Sequence, residues 1–445
     1  MPTLRPPGTA LRRLATAVGA ALLITGAAAG LPSTAAASPG AQTRPAAAPA
    51  DTHTTTPAPA GAARASTATA GITAAAAPEL LLGQSTRAAW DDFHSFGQNA
   101  DGGSVYYELR SGDWVGPGHR DYATLLASRN RTVQIGISWK DNPPGFPGGD
   151  ENTKAARSRA VTAEIAAGGH TAQLDRLLTF TNAHPGARFK LRLDYEVSSH
   201  YHCTDASCSS YKGAFNRLAS YLDSRSTARN LEYVFHPVRG EFEAMYPGNA
   251  AVDWMGVSVF AHELCLPMYE RGYLYNGTPP QNYDVAASQC RNAYIGTDAH
   301  GNPAAVWRNF DHDANVLKLV KFARDHGKPV VLSEAGMMNF TADAGATHGM
   351  EQERGDLWVR RLFSLLNYQG PIPNLPGTHD LRGVIRSVVY IDLDFRYGWD
   401  GIDDGSFDFA PDTTWFVDGR LSRYGAAKAS FCQGLAANGF TARCR

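Results

Sequence analysis

From residue 79 onward, short runs of β-branched and aromatic residues alternate with longer stretches whose apolar positions recur every three to four residues. The short runs predict strands at Glu79–Gly83, Ser104–Leu109, Thr132–Ser138, Phe189–Asp194, Leu231–His236, Trp254–Phe260, Pro329–Ser333 and Arg386–Ile391. Helical periodicity lies between most of them. Asp313 to His326 carries Val316, Leu319, Val320 and Ala323 on one face, with Asp311 or Asp313 to cap its start and Gly327 to end it. Ser210 to Ser224 repeats the pattern with Tyr211, Phe215, Leu218 and Leu222. A strand–helix–strand alternation calls for parallel pairing with helices outside. Eight strands are the number that closes a (β/α)8 TIM barrel, and the 367 residues from Glu79 to Arg445 suffice for one catalytic domain with long loops. An open doubly wound sheet is the alternative. It usually brings a Gly-rich phosphate loop after its first strand, and Leu82-Gly-Gln-Ser85 is not one.

Before residue 79 the pattern is different. Residues 1–78 contain no Phe, Tyr, Trp or Cys. Arg12 and Arg13 precede an apolar run from Leu14 to Ala29, followed by small residues. A basic start, a short apolar core and an Ala-x-Ala site form a secretory signal, expected to occupy residues 1–37, with cleavage after Ala29 or Ala37. The run is too short to span a membrane. General secretion fits better than the twin-Arg route, whose consensus is poorly matched. Residues 38–78, rich in Ala, Pro and Thr, lack the apolar side chains to offset ordering entropy and read as a disordered linker.

Charge sharpens this division. The chain carries 41 Lys and Arg against 42 Asp and Glu. Taking five basic and one acidic residue away with the leader leaves 36 against 41 from Glu79 to Arg445, a net of −5. That balance excludes a dedicated nucleic-acid binder. The six cysteines, Cys203, Cys208, Cys265, Cys290, Cys432 and Cys444, all lie in this body. An even number in an exported chain suggests disulfides, and local closure favours 203–208, 265–290 and 432–444. His200, His202, Cys203, Asp205 and Cys208 form a donor-rich stretch, but its spacing fits no zinc pattern, and neither metal nor cofactor is expected.

Barrel chemistry sits at the C-terminal ends of the strands. Two strands deliver a glutamate there: Lys190-Leu-Arg-Leu-Asp-Tyr-Glu196 and Pro329-Val-Val-Leu-Ser-Glu334. Strand alternation puts Arg192, Asp194 and Glu196 on one face, and Val330, Leu332 and Glu334 on another. With those faces inward, both carboxylates converge on the barrel mouth. Two facing carboxylates are what glycoside hydrolysis requires, one to protonate the leaving oxygen and one to attack or to activate water.

These residues resemble glycoside hydrolase family 26. The motifs are Arg-Leu-Asp-Tyr-Glu196, Tyr246-Pro-Gly-Asn-Ala-Ala-Val-Asp-Trp-Met-Gly256 and Lys328-Pro-Val-Val-Leu-Ser-Glu-Ala-Gly336, and the likeness runs from about Leu81 to Phe395. That family is a retaining, barrel-fold member of the large two-glutamate clan A, known chiefly for β-mannanases. The resemblance implies that Glu196 is the acid/base and Glu334 the nucleophile. Two positions depart from the family pattern. Tyr195 stands where the mannanases usually have His before the acid/base. Phe260 ends the sixth strand where a Tyr usually hydrogen-bonds the nucleophile, leaving His262 or Tyr195 to supply that donor.

Around the pair, Arg192 either holds the nucleophile ionised or is simply satisfied by Asp194. Trp139, at the end of the third strand, is a sugar platform or rim packing. Trp254, at the start of the sixth, is core. After the eighth strand an acidic stretch contains Trp399 and Trp415, further platforms for a neutral polysaccharide. The expectation is a secreted, monomeric, retaining endo-β-glycosidase with a polysaccharide substrate, β-1,4-mannan first, and no nucleic-acid partner or membrane span. The alternatives are a clan A glycosidase for another β-glycan, such as glucan or xylan, and a carbohydrate-binding barrel without catalysis.

Overall fold

Each apolar run from Glu79 onward is too short for a stable helix and is bounded by turn residues, so each settles as a strand whose neighbours supply its hydrogen bonds. The computed structural model describes residues 77–83, 87–139, 151–238, 242–260, 311–337, 339–342, 355–372, 374–393 and 415–445. Strands β1 (Glu79–Gly83), β2 (Gly102–Glu108), β3 (Thr132–Ser138), β4 (Arg188–Val197), β5 (Leu231–Pro237), β6 (Trp254–Phe260), β7 (Val330–Gly336) and β8 (Ile385–Ile391) pair in parallel, each with the next in sequence. β1 pairs with β8 from Glu79↔Ser387 to Gly83↔Ile391 and with β2 through Leu81↔Gly102, which closes the sheet into a barrel. All eight expected strands are present, and the open-sheet alternative is excluded.

Helices α1 (Arg87–Phe96), α2 (Pro117–Ser128), α3 (Glu151–Ala166), α4 (Thr171–Asn182), α5 (Ser199–His202), α6 (Ser209–Arg225), α7 (Phe242–Met245), α8 (Asp311–Asp325), α9 (Gly355–Leu366) and α10 (Gly425–Ala437) accompany the strands. Alternation sorts the strand residues into two sets. Leu80, Leu82, Val105, Ile135, Leu191, Phe235, Val257, Leu332 and Val388 face outward and pack with Phe93, Leu126, Phe215 and Val320 from the helices in one continuous core. Leu81, Val234, Val331 and Val389 form a separate small cluster inside the barrel, with Trp254 packed against it. The interior above that cluster is polar: Gln134 donates to Ser104 Oγ at 3.1 Å and to the Ser333 carbonyl at 3.0 Å.

The N-terminal end of the barrel is closed by charge. Lys190 and Arg188 both reach Glu79 at 2.5 Å, Arg188 also pairs with Glu232, and Trp254 donates its N–H to Glu232 at 2.9 Å. The Lys190 ammonium lies 3.5 Å from the centre of the Trp254 ring. Trp254 is therefore part of the stabilising end of the barrel, as its place at the start of β6 implied. Two disulfides join Cys203 to Cys208 and Cys432 to Cys444, as expected; Cys265 and Cys290 lie outside the described residues. Among the described residues no helix is long and apolar enough to cross a membrane.

Candidate active site

The chemistry gathers at the C-terminal ends of β2, β4, β5, β6 and β7, and irregular pairing puts it there. Between β4 and β5 the partners run Arg192↔Val234, Tyr195↔His236 and Val197↔Pro237, so β4 twice carries one residue more than its neighbour. The extra residues coincide with Asp194 and Glu196, both at φ 51°. Left-handed backbone at a non-glycine residue is costly, and such strain collects where side chains must be re-aimed. β7 is irregular as well. Val257↔Leu332 is followed by Ser258↔Glu334, two residues on β7 against one on β6.

That bulge corrects the face assigned to β7 from alternation. Val330 and Leu332 belong to the helix-facing core, and Val331 lies inside the barrel. Strict alternation would then turn Glu334 outward; the extra residue flips the phase and brings it in. The same reasoning corrects Asp194. Its carboxylate leaves the Arg192 face and stands 2.9 Å from His202 Nε2, with both side chains fully buried beside α3 and α6. Asp194 and Arg192 do not satisfy each other.

Arg192 serves Glu334 instead. Its Nη1 donates to Glu334 Oε1 at 2.5 Å, and the Tyr106 hydroxyl donates to the same oxygen at 2.7 Å. Glu334 is only 5% exposed. The guanidinium lies 5.2 Å from the Tyr106 ring centre and 4.9 Å from that of Tyr195, and these two rings are 5.0 Å apart. Burial opposes the Arg192 charge, but Glu334 and Tyr106 outweigh it and raise the guanidinium pKa, so it is a permanent cation. The Tyr106 phenol is pushed well up, first by burial and then by Glu334, and stays a donor. Gly136 makes the room: a Cβ there would lie 2.8 Å from both Arg192 Nη2 and the Tyr106 ring.

Glu196 is half-buried and accepts from Ser258 Oγ at 2.7 Å. Ser258 is also the residue paired in register with Glu334, so a single position on β6 adjoins both glutamates. His236 Nε2 is 3.1 Å from Ser258 Oγ, and its Nδ1 is 3.3 Å from Arg192 Nη1. The two glutamates are thus ends of one hydrogen-bonded chain, Glu196–Ser258–His236–Arg192–Glu334.

No protein-family model and no curated protein sequence matches the chain. Among solved structures, it is similar to GH26C from Muricauda sp. MAR_2010_75, at 12% identity and a TM-score of 0.45 over 72% of this chain and 79% of that one. The catalytic domain of the Bacillus sp. JAMB-750 GH26 endo-β-1,4-mannanase matches at 12% identity and a TM-score of 0.41, over 78% of each chain. The GH26 β-mannanase BoMan26A from Bacteroides ovatus matches at 13% identity and 0.41, over 76% of this chain and 79% of that one. The strand pairing described above establishes the barrel without them.

Of the residues singled out from sequence, the structure brings Glu196, Glu334, Arg192 and Tyr195 together. Trp139 is corrected. It is fully buried, gives its N–H to Thr162 Oγ1 at 3.2 Å and packs edge-on to His202, so it is core packing behind the site and not a sugar platform. Phe260 ends β6 as expected, and Trp415 opens a short strand, Trp415–Asp418, paired with Asn339–Ala342. His262 and Trp399 lie outside the described residues.

Tyr106, His119, His236 and Ser258 escaped the sequence reading. The hydroxyl that Phe260 lacks comes from Tyr106, on β2 and not β6. His119, on α2, accepts the Tyr106 backbone N–H at its Nδ1 at 2.9 Å, and burial depresses its pKa to about 3. A usable signal was present for three of them. Tyr106 follows Ser104, His236 follows Val234, and Ser258 follows Gly256 at the two-residue period of inward positions. Among the described residues no group of three or more His, Cys, Asp and Glu side chains is gathered as a metal ion would need.

Proposed function

We propose that the protein is a secreted, retaining endo-β-glycosidase that hydrolyses a β-linked polysaccharide, with β-1,4-mannan the first candidate. The observation that carries this reading is the pair of glutamates from β4 and β7, linked through one hydrogen-bonded chain at the C-terminal end of a barrel yet placed in unlike surroundings. Glu334, pinned through Oε1 by a permanent cation and a phenol, is presented in one orientation, as a nucleophile must be. Glu196, more exposed and held by a neutral hydroxyl, suits a group that carries a proton to the leaving oxygen and later takes one from water.

In the first step a Glu334 oxygen attacks the anomeric carbon as the glycosidic C–O bond breaks and Glu196 protonates the departing oxygen. In the second, Glu196 removes a proton from water, which displaces Glu334 and restores both groups. Arg192 and Tyr106 hold the Glu334 carboxylate throughout, and no cofactor enters either step. The signal in residues 1–37, the linker in 38–78, export and a monomeric state complete the proposal.

The test is hydrolysis of β-1,4-mannan, β-glucan and xylan by wild type and Glu334→Gln, with the product anomer followed by NMR. The expected result is β-anomer first from the wild type, and a loss in Glu334→Gln of at least about three orders of magnitude with folding unchanged. An α-anomer first would overturn retention. Binding without hydrolysis across all three glycans would favour a carbohydrate-binding barrel.

A further inference from the structure

The chain joining the two glutamates has a direction, and Arg192 sets it. A guanidinium donates and never accepts. Its Nη1, 3.3 Å from His236 Nδ1, requires that nitrogen to be unprotonated. The neutral imidazole then carries its proton on Nε2, which donates to Ser258 Oγ at 3.1 Å. With that acceptor position taken, the Ser258 hydroxyl turns its own hydrogen to Glu196 Oε1 at 2.7 Å. Arg192 thus donates both ways, to Glu334 at one end and, through His236 and Ser258, toward Glu196 at the other.

From this we infer that His236 and Ser258 are positioning residues that decide which oxygen of Glu196 carries the transferable proton. Oε1 accepts from Ser258 in both charge states of Glu196, so the proton resides on Oε2. The inference rests on the proposed role of Glu196 as acid/base and goes beyond it. Nothing in the relay changes oxidation state or bonding: each hydrogen stays on its donor, and the only proton that moves is the one on Oε2, delivered to the leaving oxygen in the first step and regained from water in the second.

The surroundings explain why the direction holds. His236 is fully buried and Ser258 nearly so. His236 faces Tyr195 across the β4–β5 pairing, and its charged neighbour through Nδ1 is Arg192, so a second proton on the ring would meet a cation. Gly256, two residues before Ser258, lets β5 and β7 close in on β6: a Cβ at Gly256 would lie 2.5 Å from Ser333 Oγ and 3.0 Å from His236 Cβ.

Two measurements test this. Kinetics compare Ser258→Ala, Ser258→Thr and His236→Leu with wild type on mannohexaose, whose leaving group needs a proton, and on 2,4-dinitrophenyl β-mannobioside, whose leaving group does not. The expected result for Ser258→Ala is a fall in kcat/KM of about tenfold or more on mannohexaose and less than about threefold on the dinitrophenyl glycoside, with Ser258→Thr recovering most of the loss. Equal losses on both substrates would mean a merely structural role and overturn the inference. The second measurement is nitrogen-15 NMR of histidine-labelled wild type, with the His236 signals assigned by their absence from His236→Leu. A neutral ring protonated on Nε2 is expected; a ring protonated on Nδ1, or on both nitrogens, overturns the relay. The NMR result needs no turnover. A wild type inactive on mannan would count against the proposed function, while the tautomer would still decide the relay.

Discussion

Replacing Tyr106 with Phe removes one oxygen and leaves the ring. The ring is buried at 3% exposure, tilted against Tyr195 and edge-on to His119, and Phe fills the same space. What is lost is the hydroxyl donated to Glu334 Oε1 at 2.7 Å, a charge-assisted bond in a site with little water. Bonds to charged groups are worth about 1.5–3 kcal/mol net, which is roughly 10- to 150-fold in rate if the whole of it orients Glu334 as the proposed nucleophile. Arg192 remains on the same oxygen, so the lower part of that range applies, about 10- to 50-fold in kcat/KM on β-1,4-mannooligosaccharides. Stability should move little, because Glu334 keeps its cation; a fall in Tm of no more than about 4 °C is expected. Steady-state kinetics beside a thermal melt separate the two effects. Activity within threefold of wild type at unchanged Tm would refute the view that Tyr106 supplies the donor Phe260 lacks.

Arg192→Met should behave differently, since it leaves Glu334 buried without its counter-charge; urea unfolding should show a loss of about 3–5 kcal/mol. Asp194 tests the bulge: Asp194→Asn, whose side chain tolerates φ near 51°, should fold normally, whereas Asp194→Val should lose about 2–3 kcal/mol in the same assay. His119 should leave a mark on acid stability. Its folded pKa of about 3 lies below the unfolded value near 6.5, so its contribution is complete above pH 6.5 and is lost as pH falls, because only the unfolded chain takes the proton. Unfolding free energy should decline by about 1.4 kcal/mol per pH unit from this residue across that window, and His119→Asn, which keeps an acceptor for the Tyr106 N–H, should flatten the decline in a pH series of melts.

Much of the barrel was legible because strand formation here is a local matter. Each run between Glu79 and Ile391 announces itself by composition and by flanking turns, and eight parallel strands have one common way to close. The two glutamates were legible for the same reason, since each ends a run. Their partners were not. Tyr106 and Glu334 are separated by 228 residues, and Arg192 and Glu334 by 142. No spacing rule reaches so far, and where His262 or Tyr195 was expected to donate to Glu334, Tyr106 on β2 does so.

Trp139 shows the converse. A tryptophan at a strand end fits a sugar platform and a packed side chain equally well by sequence. The helices α3 and α6 decide the matter by covering it, with Thr162 taking its N–H.

The fold class, the strand ends and the identity of the two glutamates follow from residue order, because alternation and turn chemistry act over a few residues. Which way those ends point is a tertiary property. The extra residues in β4 and β7 reverse the alternation where it matters, turning Asp194 out to His202 and Glu334 in to Arg192. A bulge is defined only against a neighbouring strand, and its strain is sustained only by the surrounding contacts, so no reading of one strand alone could have placed it.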